Sequence, residues 1–177
     1  TVLRRIIPDE NLKIATSKAF ASDLEGPFIT SYSREEMLEI LSKTKCAFMT
    51  PGLGNIYDAA EYDIPTVWLP PANDSQGQQA SLLKENNLVD GFIDWSDILN
   101  ADFDYKKEQS DVLNQITKAM QSVFTDESLH KKFENLFREA LDSLIDKEHG
   151  KTRAMLNMFG TGGAEKTADL IYEYASK

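Results

Sequence analysis

Two glycines and the polar residues around them carry the chemistry this chain can do. Gly52 and Gly54 follow the short apolar run 46–50, and residues 55–62 after them have the spacing of a helix. The first turn of a helix leaves amide N–H groups without an intrahelical partner, and aligned peptide dipoles put about half a positive charge there. Glycines hold no Cβ, so the backbone here can take a left-handed turn and let an anion reach those amides. Asn55 is expected to cap the helix, and Thr50 adds a hydroxyl beside it. Pro65 then ends the helix and residues 66–69 form a second apolar strand, so the unit reads strand, glycine turn, helix, strand with a parallel pair. Such a unit binds phosphate.

Further polar groups fall where they could extend that site. Asp58 lies one turn into the helix, on the side facing the carboxyl ends of the strands, where open α/β sheets bind ligands. Its plainer role is to stabilise the helix dipole. Residues 70–77 form a polar loop without periodicity, followed by a helix expected over 78–86. Gln78 and Gln79 there offer donors and an acceptor without a charge to desolvate, which suits sugar hydroxyls; helix capping is the alternative. Asp74 in the loop is a candidate acid for the same purpose.

These residues resemble the nucleotide-sugar-dependent glycosyltransferases of the two-domain GT-B type, and within them the C-terminal, donor-binding half. The similar pattern is a strand, a Gly-x-Gly turn (Gly52, Gly54), a helix carboxylate four positions later (Asp58), a Pro-initiated strand ending in Pro (Pro65, Pro70) and a Gln-rich loop (Gln78, Gln79). It covers residues 28–95. The resemblance implies a Rossmann-like parallel sheet flanked by helices. It also implies that Thr50, Gly52, Gly54 and Asn55 hold the donor diphosphate, that Asp58 binds the ribose, and that Asp74, Gln78 and Gln79 contact the sugar. In relatives the turn after an earlier strand presents backbone atoms to the base, which places Ser31 and Tyr32 near the ring. Thr50 stands where many relatives carry His, and Asp58 where they carry Glu. The donor is a nucleoside-diphosphate sugar such as a UDP-sugar, no metal or other cofactor is expected, and the partner is an acceptor-binding domain or subunit that supplies the catalytic base.

Composition agrees with a globular domain and narrows the partners. The 177 residues suit one core, with 41% hydrophobic and 27% charged residues. A net charge of −10 opposes nucleic-acid binding, which needs a basic face. No apolar run approaches the ~20 residues of a membrane-spanning helix, and the N-terminus does not read as a signal peptide, so a cytoplasmic setting is expected. The lone Cys46 excludes an internal disulfide and reads as a small hydrophobe in a strand. His130 and His149 have no ligand spacing around them, so no metal site is expected.

Along the chain, residues 11–16 and 28–32 read as strands, the latter after the turn Gly26-Pro27. Ser33 with Glu36 is a capping box for a helix to about residue 42. A donor half would open with an apolar strand and a Gly-rich loop ahead of residue 11; neither is present, so the chain is expected to be a fragment of a longer one. From residue 108 to the end the pattern is helical and packs on the rest. Leu113, Ile116, Met120 and Phe124 form one apolar stripe; Leu129, Phe133, Leu136, Phe137, Leu141 and Leu144 form another. Thr125 is expected to cap the second. Gly160 to Thr167 resembles a phosphate-binding Walker loop but has Glu165 where a glycine must precede the lysine, so it reads as a turn leading into a closing helix. Two classes of function remain: a glycosyltransferase donor domain, or a non-catalytic nucleotide-binding or partner-binding module. A dinucleotide-binding dehydrogenase is weaker, because G-L-G-N lacks the G-x-G-x-x-G spacing.

Overall fold

The computed structural model describes residues 5–8, 12–22 and 29–176. Its first part runs β1 (Ile14–Ala15), α1 (Lys18–Ala21), β2 (Ile29–Thr30), α2 (Arg34–Leu41), β3 (Ala47–Met49), α3 (Leu53–Glu61) and β4 (Thr66–Trp68). It continues with α4 (Asp74–Glu85), β5 (Gly91–Phe92) and α5 (Trp95–Leu99). The last part is helical: α6 (Gln109–Thr125), α7 (Glu127–Asp142), a 3-10 turn (Lys151–Arg153), α8 (Ala154–Phe159) and α9 (Gly163–Ala175). The protein is therefore α/β with parallel strands flanked by helices. The described strands form two small sheets rather than one: β1 with β2, and β3-β4-β5 in that order, every pairing parallel.

The three-stranded sheet is covered on both faces, as parallel sheets generally are. Side chains alternate along each strand, so neighbours go to opposite layers. Val67 and Ile93 join Trp95, Ile98, Val112, Ile116, Ala119, Phe137 and Leu144 under α5, α6 and α7. Phe48 stacks on Phe137 on the same side, with ring centroids 4.1 Å apart. Trp68 points the other way, into a cluster with Ile56, Ala59 and Ala60 of α3, Leu83 of α4, Leu88 and Met155 of α8. Ala59 and Ala60 are fully buried, on a helix that approaches the 3-10 turn and α8 closely.

Several expectations shift by a turn or a face. α3 starts at Leu53, two residues earlier than expected, and α4 at Asp74, four earlier. On α6 the core face is Val112, Ile116 and Ala119, whereas Leu113, Met120 and Phe124 are exposed, Phe124 by 84%. The observed face keeps Ile116 of the expected stripe but takes Val112 and Ala119 in place of Leu113 and Met120, where α6 packs on α7, α4 and α5. Asp126, not Thr125, caps α7, its carboxylate accepting from Ser128 N (2.8 Å) and Leu129 N (3.2 Å); Thr125 Oγ1 donates back to Gln121 O. Gly160 and Gly162 take positive φ before α9, as a turn there requires. The strand expected over 11–16 is described at Ile14–Ala15 and that over 28–32 at Ile29–Thr30; Asn11, Gly26, Pro27 and Phe28 lie outside the described residues. Among the described residues no helix is long and apolar enough to cross a membrane.

Candidate functional site

Helices α2, α3 and α4 follow β2, β3 and β4, so each begins at the carboxyl end of a parallel strand, α2 in the two-stranded sheet and α3 and α4 in the three-stranded one. Two of the three are capped by their own side chains. Ser33 Oγ accepts from Glu36 N (3.2 Å) while Glu36 Oε2 accepts from Ser33 N (2.8 Å), the expected capping box. Asn73 Oδ1 accepts from Gln76 N (2.9 Å) at the start of α4. The front of α3 has no side-chain cap: Gly52 is its N-cap, and the helical ladder begins with Ile56 N donating to Gly52 O (3.0 Å). The N–H groups of Leu53, Gly54 and Asn55 therefore lie outside that ladder.

The glycines work differently from the expectation. Gly52 has φ −81° and ψ 147°, extended backbone open to any residue, and Gly54 is inside the first turn of α3; neither is left-handed. What their lack of a side chain provides is room. A Cβ on Gly54 would meet nothing within 4 Å, and one on Gly52 would lie 3.8 Å from Gln76 Nε2. Asn55 does not cap the helix. Its Nδ2 reaches back to Thr50, donating to the backbone O (2.9 Å) and approaching Oγ1 (3.3 Å), so the Thr50 hydroxyl and the Asn55 amide hold each other across the turn.

Asp58 carries the main surprise. Its two oxygens each accept a 2.6 Å hydrogen bond from a terminal nitrogen of Arg34, a bidentate pair that joins α2 to α3. The Asp58 side chain is 13% exposed and that of Arg34 60%. The pairing raises the Arg34 pKa, through the hydrogen bonds first and the carboxylate's charge second. Ser31 and Tyr32 are half-buried residues between β2 and Arg34.

The remaining candidates divide. Asp74 is the first residue of α4, with Gln109 Nε2 at 3.5 Å from its Oδ1. Gln78 donates to Tyr105 O (3.0 Å) and lines a cleft of about 340 Å³ with Leu82, Phe103 and Tyr105. Gln79 Oε1 is buried without a hydrogen-bond donor, an acceptor still unmet. The glutamine beside the glycine turn is Gln76, whose Oε1 accepts from Ala72 N (2.9 Å). An N-x-x-Q cap over residues 73–76 was the signal that could have pointed to it. A second cleft, of about 460 Å³, is lined by Asp63, Asn87, His149, Lys151 and Arg153, at the other end of α3. Neither cleft is lined by residues 50–58.

Asp63 and His149 join the end of α3 to the 3-10 turn. Asp63 adopts φ 55°, ending α3 left-handed as an aspartate can. Its carboxylate accepts from Gly150 N (3.1 Å) and contacts His149 Nδ1 (2.7 Å), tying the 3-10 turn to the end of α3. Burial pushes the Cys46 thiol pKa up, which removes it further from nucleophilic use. Among the described residues no three His, Cys, Asp or Glu side chains are grouped to hold a metal ion. Comparisons with known protein families, curated proteins and solved structures find no match.

Proposed function

We propose that this chain is a donor-binding domain of a GT-B type glycosyltransferase, holding a nucleoside-diphosphate sugar at the carboxyl edge of its parallel strands. The observation that carries the reading is the uncapped front of α3: three backbone N–H groups outside the ladder and open space over Gly54. Gly52, Gly54, Asn55 and Thr50 would serve the diphosphate, Asp58 the ribose, Ser31 and Tyr32 the base, and Asp74, Gln78 and Gln79 the sugar. An acceptor hydroxyl attacks the anomeric carbon while the helix front stabilises the charge growing on the leaving diphosphate. The acceptor-binding half supplies the general base, so this chain alone binds donor without turning it over.

A second reading, a non-catalytic donor or regulatory subunit that pairs with a separate chain, is favoured by the exposed Met158, Phe159, Leu170 and Ile171 at the C-terminal end. Both readings predict donor binding, and only the first predicts transfer when the acceptor-binding half is supplied. The test is a thermal-shift screen of UDP, ADP, GDP, CDP and dTDP. A binding diphosphate at a hundred times its Kd stabilises by about 2.7 kcal/mol, or roughly 5–10 °C for a chain of this size. Asp58→Ala should then reduce the shift while leaving the ligand-free melting curve cooperative. Flat melting temperatures with all five diphosphates would remove the reading.

A further inference from the structure

We propose that Arg34 is a donor-binding residue: its guanidinium exchanges the Asp58 carboxylate for the donor's diphosphate as the ribose hydroxyls take Asp58. The inference rests on the donor-site reading and adds to it the residue that selects for phosphate.

Arg34 breaks a local rule. It is the first residue of α2, where the helix dipole favours acidic side chains and disfavours cations. The capping box at Ser33 and Glu36 fixes its backbone, while the side chain is mostly exposed and its head can swing. That head points across to α3 rather than into solvent. Its two nitrogens take one oxygen each of Asp58, which a vicinal diol also needs. Ribose binding at Asp58 and the present pairing therefore compete for the same oxygens.

The displaced guanidinium has a second partner within reach. Asp58 and Gly54 are four residues apart on one helix face, and helical side chains lean toward the N-terminus. Arg34 is thus held at Asp58, whose Cα lies about one helical turn from that of Gly54, where a side chain would meet open space. A guanidinium forks onto phosphate oxygens as well as onto a carboxylate. After the exchange Arg34 has the diphosphate and Asp58 has the diol, so neither charge is stranded. Without Arg34, the Asp58 charge would stand one turn from the diphosphate and oppose it. The other ion pairs among the described residues, such as Lys43 with Glu39 or Arg138 with Glu134, involve none of the site residues.

The test compares the diphosphate that binds in the five-member screen with its parent nucleoside, using calorimetry on the whole chain and on Arg34→Ala and Arg34→Lys. Diphosphate affinity should fall about tenfold in Arg34→Ala, the scale of one charge-assisted hydrogen bond. Nucleoside affinity should hold or rise, Arg34→Lys should lie between, and the salt dependence of diphosphate binding should weaken. Should Arg34→Ala leave diphosphate affinity unchanged, or lower diphosphate and nucleoside affinity equally, Arg34 is only a tie between α2 and α3 and the inference is overturned. Should no diphosphate bind the unaltered chain, the donor reading fails and this inference with it. Ligand-free melting curves of both variants separate misfolding from lost binding.

Discussion

Replacing Gly77 with alanine should destabilise the protein, although alanine is the better helix former by about 1 kcal/mol. Gly77 lies on the buried side of α4, and a Cβ there would sit 2.1 Å from Cδ1 and Cγ of Tyr105 and 2.6 Å from Cδ2. Carbon atoms rest about 3.5–4.0 Å apart, so the ring would have to retreat by roughly 1.5 Å. It has little freedom to do so. Tyr105 is 6% exposed, its hydroxyl donates to Asp94, and its backbone O holds Gln78. Overpacking of this kind costs about 1–3 kcal/mol, and loss of the hydroxyl's bond to a carboxylate adds about 1.5–3. Against the helix-propensity gain the net is about 3 kcal/mol, or a fall of roughly 6–12 °C in Tm. Urea unfolding followed by circular dichroism reads it directly. The cycle with Tyr105→Ala sharpens the test: once the ring is gone, Gly77→Ala should turn from destabilising to neutral or stabilising. A Gly77→Ala protein as stable as its parent would refute the claim that this contact is closed.

Asp90 and Tyr105 offer two further tests. The Asp90 side chain is fully buried and accepts from Thr66 N and Lys151 N, each at 3.1 Å, with Lys147 Nζ at 3.4 Å. Asp90→Ala strands those donors and should cost about 2–4 kcal/mol in urea unfolding, with a change under about 0.5 kcal/mol counting against the role. Burial first, and the Asp94 carboxylate second, push the Tyr105 pKa well above its usual range. The raised group favours the folded state below the unfolded tyrosine pKa of about 10, and that stability drains away as pH climbs beyond it, because the unfolded chain releases the proton first. The unfolding midpoint should therefore fall between pH 9 and 11, and fall less in Tyr105→Phe. Equal slopes in the two proteins would remove Tyr105 as the cause.

The strand, turn, helix and strand at 46–69 were legible because local chemistry and tertiary packing agree there. The apolar run before Gly52 and the Pro65 stop mark the same boundaries that the parallel pair Ala47–Met49 with Thr66–Trp68 displays. Where Gly77 was taken for loop, the local reading gave way. Asn73 starts α4 four residues early, and the glycine is in the helix because Tyr105 needs the space. The α6 stripe failed for a related reason. Large residues at helical spacing suggest a core, but the close packing of α6 on α7, α4 and α5 uses the face with Val112, Ile116 and Ala119, leaving Phe124 outside. The pairs that bind distant segments left no local pattern: Arg34 and Asp58 are 24 residues apart, Asp63 and Gly150 are 87. Arg34 did carry one signal, a cation at a helix start, which the dipole argues against.

The uncapped front of α3 gains weight from its neighbours. Ser33 and Asn73 show that this sequence places a capping side chain where the adjacent helices begin, each worth about 1 kcal/mol. At Gly52 it forgoes one, and Asn55, a good capping residue, is turned back onto Thr50 instead. Gly52 has backbone angles that serine or asparagine adopts without strain, and as an N-cap glycine falls only a few tenths of a kcal/mol short of them. The fronts of α6, α8 and α9 likewise lack a side-chain cap hydrogen bond. Helices α2 and α3 then present a cation on the wrong end of α2, a carboxylate to hold it, and open space over Gly54. Each is a small departure from what stability favours, and the proposed anionic ligand on the α3 amides would account for all three together.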